Sequence, residues 1–212
     1  MSLLLKILIS CVVSYLIGSI PTAYLFGRIY KGIDIRKHGS GNVGATNTFR
    51  VLGKGPGIIV LLVDVLKGAI ATAVIADAFG IHQVSAYIVS GLCAVAGHNW
   101  TIFLNFKGGK GIATSLGVLI GLTIKIVSIR PVLLLTVLFW LITFLFSGYV
   151  SLASLVAAAG LPLLMVITHQ TIEIVVLGAI FCFLVVLRHR SNIKRLLAGQ
   201  EARFNTPFNK RK

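Results

Sequence analysis

Three short polar stretches interrupt an otherwise apolar chain, and each is built from residue types that hold anions. The first is HGSGNVGATNTFR, residues 38–50, in which Gly39, Gly41 and Gly44 recur closely and Arg50 ends the run. The second is NFKGGKG, residues 105–111, where Lys107 and Lys110 stand among Gly108, Gly109 and Gly111. The third is RHRSNIKRLLAGQE, residues 188–201, which gathers His189, Asn192 and several cations ahead of Glu201. Glycine puts no Cβ in the way of a backbone N–H turned toward an anion, and a helix starting just afterwards adds its positive dipole end. The chemistry on offer is anion binding, with Ser, Asn and backbone N–H groups as donors and Arg and Lys as counter-charges.

Nucleotide-specific readings of the same glycines fail on their surroundings. Gly39-x-Gly41-x-x-Gly44 has dinucleotide spacing, but that turn needs a buried strand before it, and here an apolar helix and the polar run KGIDIRKH come first. A Walker A loop needs Gly-Lys followed by Ser or Thr, whereas Gly109-Lys110 is followed by Gly111. The 5 acidic residues supply no paired general base, no Ser-His-Asp order and no metal-ligand cluster, so neither metal nor cofactor is expected. Cys11, Cys93 and Cys182 are odd in number and lack ligand spacing, which reads as small buried apolar residues.

The elements that must position these loops are membrane helices. The 212-residue chain is 57% hydrophobic and only 12% charged, about half the roughly 25% of a soluble domain, and its mean hydropathy is +0.96. This implies an all-α integral membrane protein, because a bilayer admits a chain of this kind as helices whose backbone groups are satisfied internally. Seven apolar stretches are read as transmembrane helices: 3–29, bent at Pro21, then 57–76, 84–104, 112–129, 132–146, 150–167 and 172–187. The fifth is the shortest, joined to the fourth by Arg130-Pro131. One domain is expected over 1–199, with a basic tail over 200–212.

Charge placement orients them. Arg28, Lys31, Arg36, Lys37, Arg50 and Lys54 lie between the first two spans, Lys107 and Lys110 between the third and fourth, and Arg188, Arg190, Lys194, Arg195, Arg203, Lys210, Arg211 and Lys212 after the seventh. By the positive-inside tendency these loops and the C-terminus are cytoplasmic and the N-terminus is outside. The net charge of +15 is then largely topology, and nucleic acid is not needed as a partner. All three anion-type segments fall on one predicted face. Within the second span Asp64 and Lys67, spaced i, i+3, are expected to compensate each other toward the bundle as structural glue. His98 closes the third span beside Trp100, an interfacial anchor by type.

The loops resemble a known family. GSIP at 18–21, SGNVGATN at 40–47, RVLGKGPG at 50–57, DVLKG at 64–68, FKGGKGIAT at 106–114, VSLAS at 150–154 and RHRSNIKRLLAGQE at 188–201 resemble the bacterial acyl-phosphate-dependent glycerol-3-phosphate acyltransferases, the PlsY family. The likeness runs nearly the whole chain in order. One departure is Thr101, where many members carry Pro. The resemblance implies transfer of a fatty acyl group from acyl-phosphate to glycerol 3-phosphate at the cytoplasmic face of a bacterial inner membrane, yielding lysophosphatidate and inorganic phosphate. Matching its motifs position by position implies that Ser151, His189 and Asn192 act catalytically at one phosphate. Ser40, Gly41, Asn42, Asn47, Arg50, Lys107 and Lys110 are implied to bind substrate, and Glu201 to orient a basic residue. An acyl-phosphate has a good leaving group, so direct attack by the glycerol 3-phosphate hydroxyl without an acyl-enzyme is expected, with positioning as the main contribution. Transport of a small organophosphate is the alternative reading, against which the charges cluster on one face and leave no charged route across the bilayer; a lipid-anchoring protein is a third, and it would not need the Ser, Asn and Gly donors.

Overall fold

The computed structural model describes residues 1–209, and these are helical with no strand among them. Contacts divide the chain into two compact units, Met1–Lys125 and the remainder from Ile126.

In the first unit α1 (Leu3–Ser19) and α2 (Thr22–Lys31) form one long apolar run broken at Ile20-Pro21. Pro21 has no N–H to give and sits at φ −87°, ψ 68°, so the bend expected there is an interruption of the helix. After a short 3-10 turn at Ile35–Lys37 come α3 (Ala45–Leu52), α4 (Lys54–Ala78), α5 (Val84–Asn99) and α6 (Ile112–Lys125). A π-helical turn at Ala71–Ile75 lies within α4. Small residues set the packing. A methyl group at Gly18 of α1 would strike the Ala94 backbone of α5, and one at Gly97 would strike the Tyr15 carbonyl. Ser10 and Ser90 hydroxyls meet at 3.0 Å across the same pair. The α4–α6 pair is built likewise, with Gly68 on the Thr114 carbonyl and Gly117 on that of Val65.

In the second unit α7 (Arg130–Ser147), α8 (Val150–Ile167) and α9 (Ile172–Arg188) pack in succession, and α10 (Arg190–Leu197) turns away from α9 by 63°. Trp140 of α7 donates to the Ser154 hydroxyl of α8 at 3.2 Å.

Among the described residues five helices or continuous helical runs are long and apolar enough to cross a bilayer, α9 with α10 makes a bent sixth, and α6 is a shorter apolar helix. Two expectations on boundaries are corrected. The fourth stretch, read as 112–129, ends at Lys125, leaving α6 with 14 residues, about 21 Å. The fifth, read as the short one at 132–146, is part of a 21-residue run over Val127–Ser147. Arg130-Pro131 does not separate the two, because proline is tolerated in the first turn of a helix, and there it opens α7.

The basic tail is docked. Phe204 N–H donates to the Gly148 carbonyl at 2.9 Å, Arg203 Nε to Ser147 at 2.7 Å, and the Thr206 hydroxyl to Leu145 at 2.5 Å. Phe204 meets Phe144 edge-on and Phe208 stacks on Phe146. Residues 201–209 therefore form a strap over the α7–α8 corner. Lys210, Arg211 and Lys212 lie outside the described residues.

Candidate active site

The first unit builds its site from two loops that each open a helix. Asp34 fixes the approach to the first. It accepts from Arg36 Nε and Nη2, at 2.9 and 2.7 Å, and caps the 3-10 turn through Arg36 N–H at 3.1 Å. That guanidinium holds the Asp34 carboxyl down at about 2, well below its ordinary 3.8. The chain then turns at Gly41, whose φ of +70° and close approach to the Arg36 carbonyl leave no room for a side chain.

Asn47 holds this loop closed. Its side-chain amide donates to the Ile35 and His38 carbonyls, at 3.3 and 3.1 Å, and its oxygen accepts the Ser40 N–H at 2.8 Å. With 1% exposure and these three bonds, Asn47 is the internal fastener of the loop. Ser40 and Arg50 are exposed, while Gly41 and Asn42 are half-buried beside the Gly44 N-cap of α3.

The second loop precedes α6. Thr101, the departure from the family pattern, caps the 3-10 turn at Ile102–Leu104 and donates its hydroxyl to the Ser19 carbonyl of α1 at 2.5 Å. A hydroxyl thus ties down a turn where many members have proline. Asn105 and Phe106 then take left-handed conformations, φ 52° and 59°, which non-glycine residues adopt at a cost. Lys107 follows, exposed, and Gly108 and Gly109 donate backwards to the Asn99 and His98 carbonyls at 3.2 and 3.0 Å. Gly109 is wedged: a Cβ there would strike both the His98 ring and the Val43 carbonyl of the first loop. The two glycine-rich loops are therefore packed on each other, and the N-termini of α3 and α6 open beside them. Backbone donors, helix dipoles and the Arg50 and Lys110 cations together suit a small phosphate.

Behind these loops the Asp64–Lys67 pair is buried as expected, with Oδ1 and Nζ 2.8 Å apart and exposures of 2% and 4%. Two partners were not legible in the spacing. The Thr22 hydroxyl donates to Asp64 at 3.2 Å, and His98 Nδ1 lies 3.7 Å from the same carboxylate oxygen.

The second unit gathers the remaining expected residues around one carboxylate. Glu201 Oε1 accepts from the Ser151 hydroxyl at 2.8 Å and from Asn192 at 2.6 Å, while Oε2 accepts from Arg195 Nε at 2.7 Å. Burial works to raise the Glu201 carboxyl, but the bonds from Arg195, Asn192 and Ser151 outweigh it and hold the group below its usual range. An ionised Glu201 repels phosphate, so this geometry fits an organising role for it, with Arg195 as the basic residue it orients. Sequence reasoning missed Arg195. His189, 3% exposed, shares a hydrogen bond between Nδ1 and the Val185 carbonyl at 2.8 Å. A carbonyl only accepts, so Nδ1 carries the hydrogen and Nε2 is the basic nitrogen of the neutral ring.

Comparison with known proteins agrees with this chemistry. Residues 8–199 match the family model described as glycerol-3-phosphate acyltransferase. The glycerol-3-phosphate acyltransferase 2 of Moorella thermoacetica is 48% identical over 92% of this chain and 95% of its own length. A Synechococcus glycerol-3-phosphate acyltransferase is 44% identical over 95% and 96%. A crystal structure of PlsY, an integral membrane glycerol 3-phosphate acyltransferase, in its glycerol 3-phosphate form, superposes with a TM-score of 0.84 at 40% identity, covering 94% of this chain and 96% of that one.

Proposed function

The chain belongs to the glycerol-3-phosphate acyltransferase family, and from that premise we propose that it transfers a fatty acyl group from acyl-phosphate to glycerol 3-phosphate, forming 1-acyl-glycerol 3-phosphate and inorganic phosphate. Acyl transfer to glycerol 3-phosphate in a membrane is the family's activity; the donor, the product and the mechanism are our reading. The observation that carries it is the packing of the two glycine-rich loops through Gly109 and Val43, which sets two helix N-termini beside one another with Arg50 and Lys110 nearby in sequence.

In this reading Arg50 and Lys110 clamp the phosphate of glycerol 3-phosphate, with Lys107 as an additional cation. Ser40 through its hydroxyl and Asn42 through its side-chain amide donate hydrogen bonds to it, Gly41, whose own N–H is taken by the His38 carbonyl at 3.0 Å, shapes the turn between them, and Asn47 keeps their loop in shape. Ser151, His189 and Asn192 serve the phosphate of the donor, organised by Glu201. The primary hydroxyl of glycerol 3-phosphate attacks the acyl carbonyl directly. The C–O bond to phosphate breaks, phosphate leaves with the electron pair, and the hydroxyl proton passes to a phosphate oxygen or to His189 Nε2. Near-normal turnover in His189→Gln would leave the phosphate oxygen as acceptor. No step calls for a metal, a cofactor or an acyl-enzyme.

The membrane arrangement proposed with this activity has seven crossings, counting α6, with the N-terminus outside, the C-terminus cytoplasmic and the loops at the cytoplasmic face of the bacterial inner membrane. Two substrates that both carry phosphate, one with an alkyl chain, suit polar loops set among lipid-embedded helices.

The test is direct. Purified protein is incubated with glycerol 3-phosphate and either palmitoyl-phosphate or palmitoyl-coenzyme A, and released phosphate and acylated product are measured. Stoichiometric phosphate and 1-acyl product with the acyl-phosphate are expected. Turnover with the thioester alone would overturn the donor assignment.

A further inference from the structure

The buried charges of the first unit do more than compensate each other. Asp64 and Lys67 sit inside α4, where isolated charges are costly, and a salt bridge alone would satisfy only part of their hydrogen-bonding capacity. Other elements supply the remainder. Lys67 Nζ also donates to the Ile20 carbonyl at 3.2 Å, a group bared by the break at Pro21, and Thr22 just past that break donates to Asp64. The carboxylate then faces His98 Nδ1 at 3.7 Å. On its far side the His98 ring meets Gly109, which in turn abuts the Val43 carbonyl. His98 is 7% exposed, so its ring has one buried place to be.

We infer that His98 is a positioning residue: held by the Asp64–Lys67 pair, it seats Gly109 against Val43 and so sets the spacing of the two glycine-rich loops. The inference rests on the reading that these loops bind the phosphate of glycerol 3-phosphate. His98 itself touches no substrate in this account. Its contribution is geometric: a phosphate held between two loops is sensitive to a shift of either, because each backbone donor must stay within hydrogen-bond distance. Shortening the His98 side chain opens room on one side of Gly109 and lets the second loop move away from the first.

The experiment compares His98→Ala, His98→Gln and Arg50→Ala in full steady-state kinetics for both substrates, with thermal stability in detergent as a parallel measurement. His98→Ala is expected to raise the KM for glycerol 3-phosphate about tenfold with kcat and the acyl-phosphate KM within about twofold, and His98→Gln, which refills the space beside Gly109, to recover most of it. The double variant Asp64→Asn/Lys67→Met, which leaves no unmatched buried charge, is expected to raise the same KM. If His98→Ala keeps its glycerol 3-phosphate KM while Arg50→Ala does not, the positioning inference is overturned and the site reading stands. If His98→Ala only loses thermal stability or kcat, His98 is structural support and the inference is again overturned. If Arg50→Ala also keeps its KM, the reading of the loops themselves fails. Should His98→Ala not fold, a wild-type KM in the double variant would overturn the inference on its own.

Discussion

At the scale of single residues, carboxylates fix two of the cations in place. Asp34 commits Arg36, and Glu201 commits Arg195, each at 2.7 Å. Arg50 is exposed at the end of α3, and Lys110 is half-buried at the end of the second loop. A charge-assisted hydrogen bond contributes about 1.5–3 kcal/mol, so Arg50→Ala and Lys110→Ala should each raise the KM for glycerol 3-phosphate about 10- to 100-fold. The acyl-phosphate KM should move far less, and equal effects on both substrates would refute the clamp. Asp34 gives a pH prediction. Its folded value of about 2 lies below the ordinary 3.8, so its contribution to stability is present above pH 3.8 and is lost as pH falls from there through 2. Glu201, also lowered, acts with the same sign. Thermal melts of the wild type should therefore weaken with acid over that window, and Asp34→Asn should weaken less. An unchanged acid dependence in Asp34→Asn would exclude this source.

At the scale of elements, the strap over 201–209 adds something to the fold beyond residue 199, where the family match ends. It places three backbone or side-chain hydrogen bonds and two aromatic contacts on the α7–α8 corner, immediately before Ser151. Truncation after Ala202 keeps Glu201 and removes the rest. At roughly 1 kcal/mol per hydrogen bond and 0.5–1.5 per aromatic pair, the loss should lower the melting temperature by about 10–20 °C. An unchanged melting temperature would mean that the strap adds no stability. The docking was not legible in the sequence, because a basic C-terminal run after the last apolar stretch carries the charge pattern of an ordinary membrane-proximal tail. The glycine-rich loops were legible, since positive φ and close backbone approach select glycine at defined positions.

At the scale of the whole molecule, alternation of apolar and basic segments fixes an expected orientation that labelling can test. In a background with Cys11, Cys93 and Cys182 replaced, Ser2→Cys and His82→Cys should react with a membrane-impermeant thiol reagent in intact cells. Lys37→Cys and Gln200→Cys should react only after permeabilisation. The reverse pattern would invert the topology, and labelling of Gln200→Cys from outside would remove one crossing. The short α6 is the proposed crossing most exposed to this test, since 14 residues span less than a typical hydrocarbon core.

By itself the sequence determined that the chain is helical and membrane-embedded and which family its motifs resemble. These follow from composition, from periodicity and from residue types that physics restricts to few uses. It also determined that Asp64 and Lys67 pair, because i, i+3 spacing on a helix leaves them adjacent. Only the tertiary structure decided that His98 and Thr22 join that pair, that Gly109 meets Val43, and that Glu201 gathers Ser151, Asn192 and Arg195. The reason for Thr22 and Ser151 is separation along the chain, since contacts 42 and 50 positions apart leave no local period to read and are selected by the packing of whole helices; Asn192 and Arg195 lie 9 and 6 positions from Glu201, across the end of α10, where no helical period pairs them.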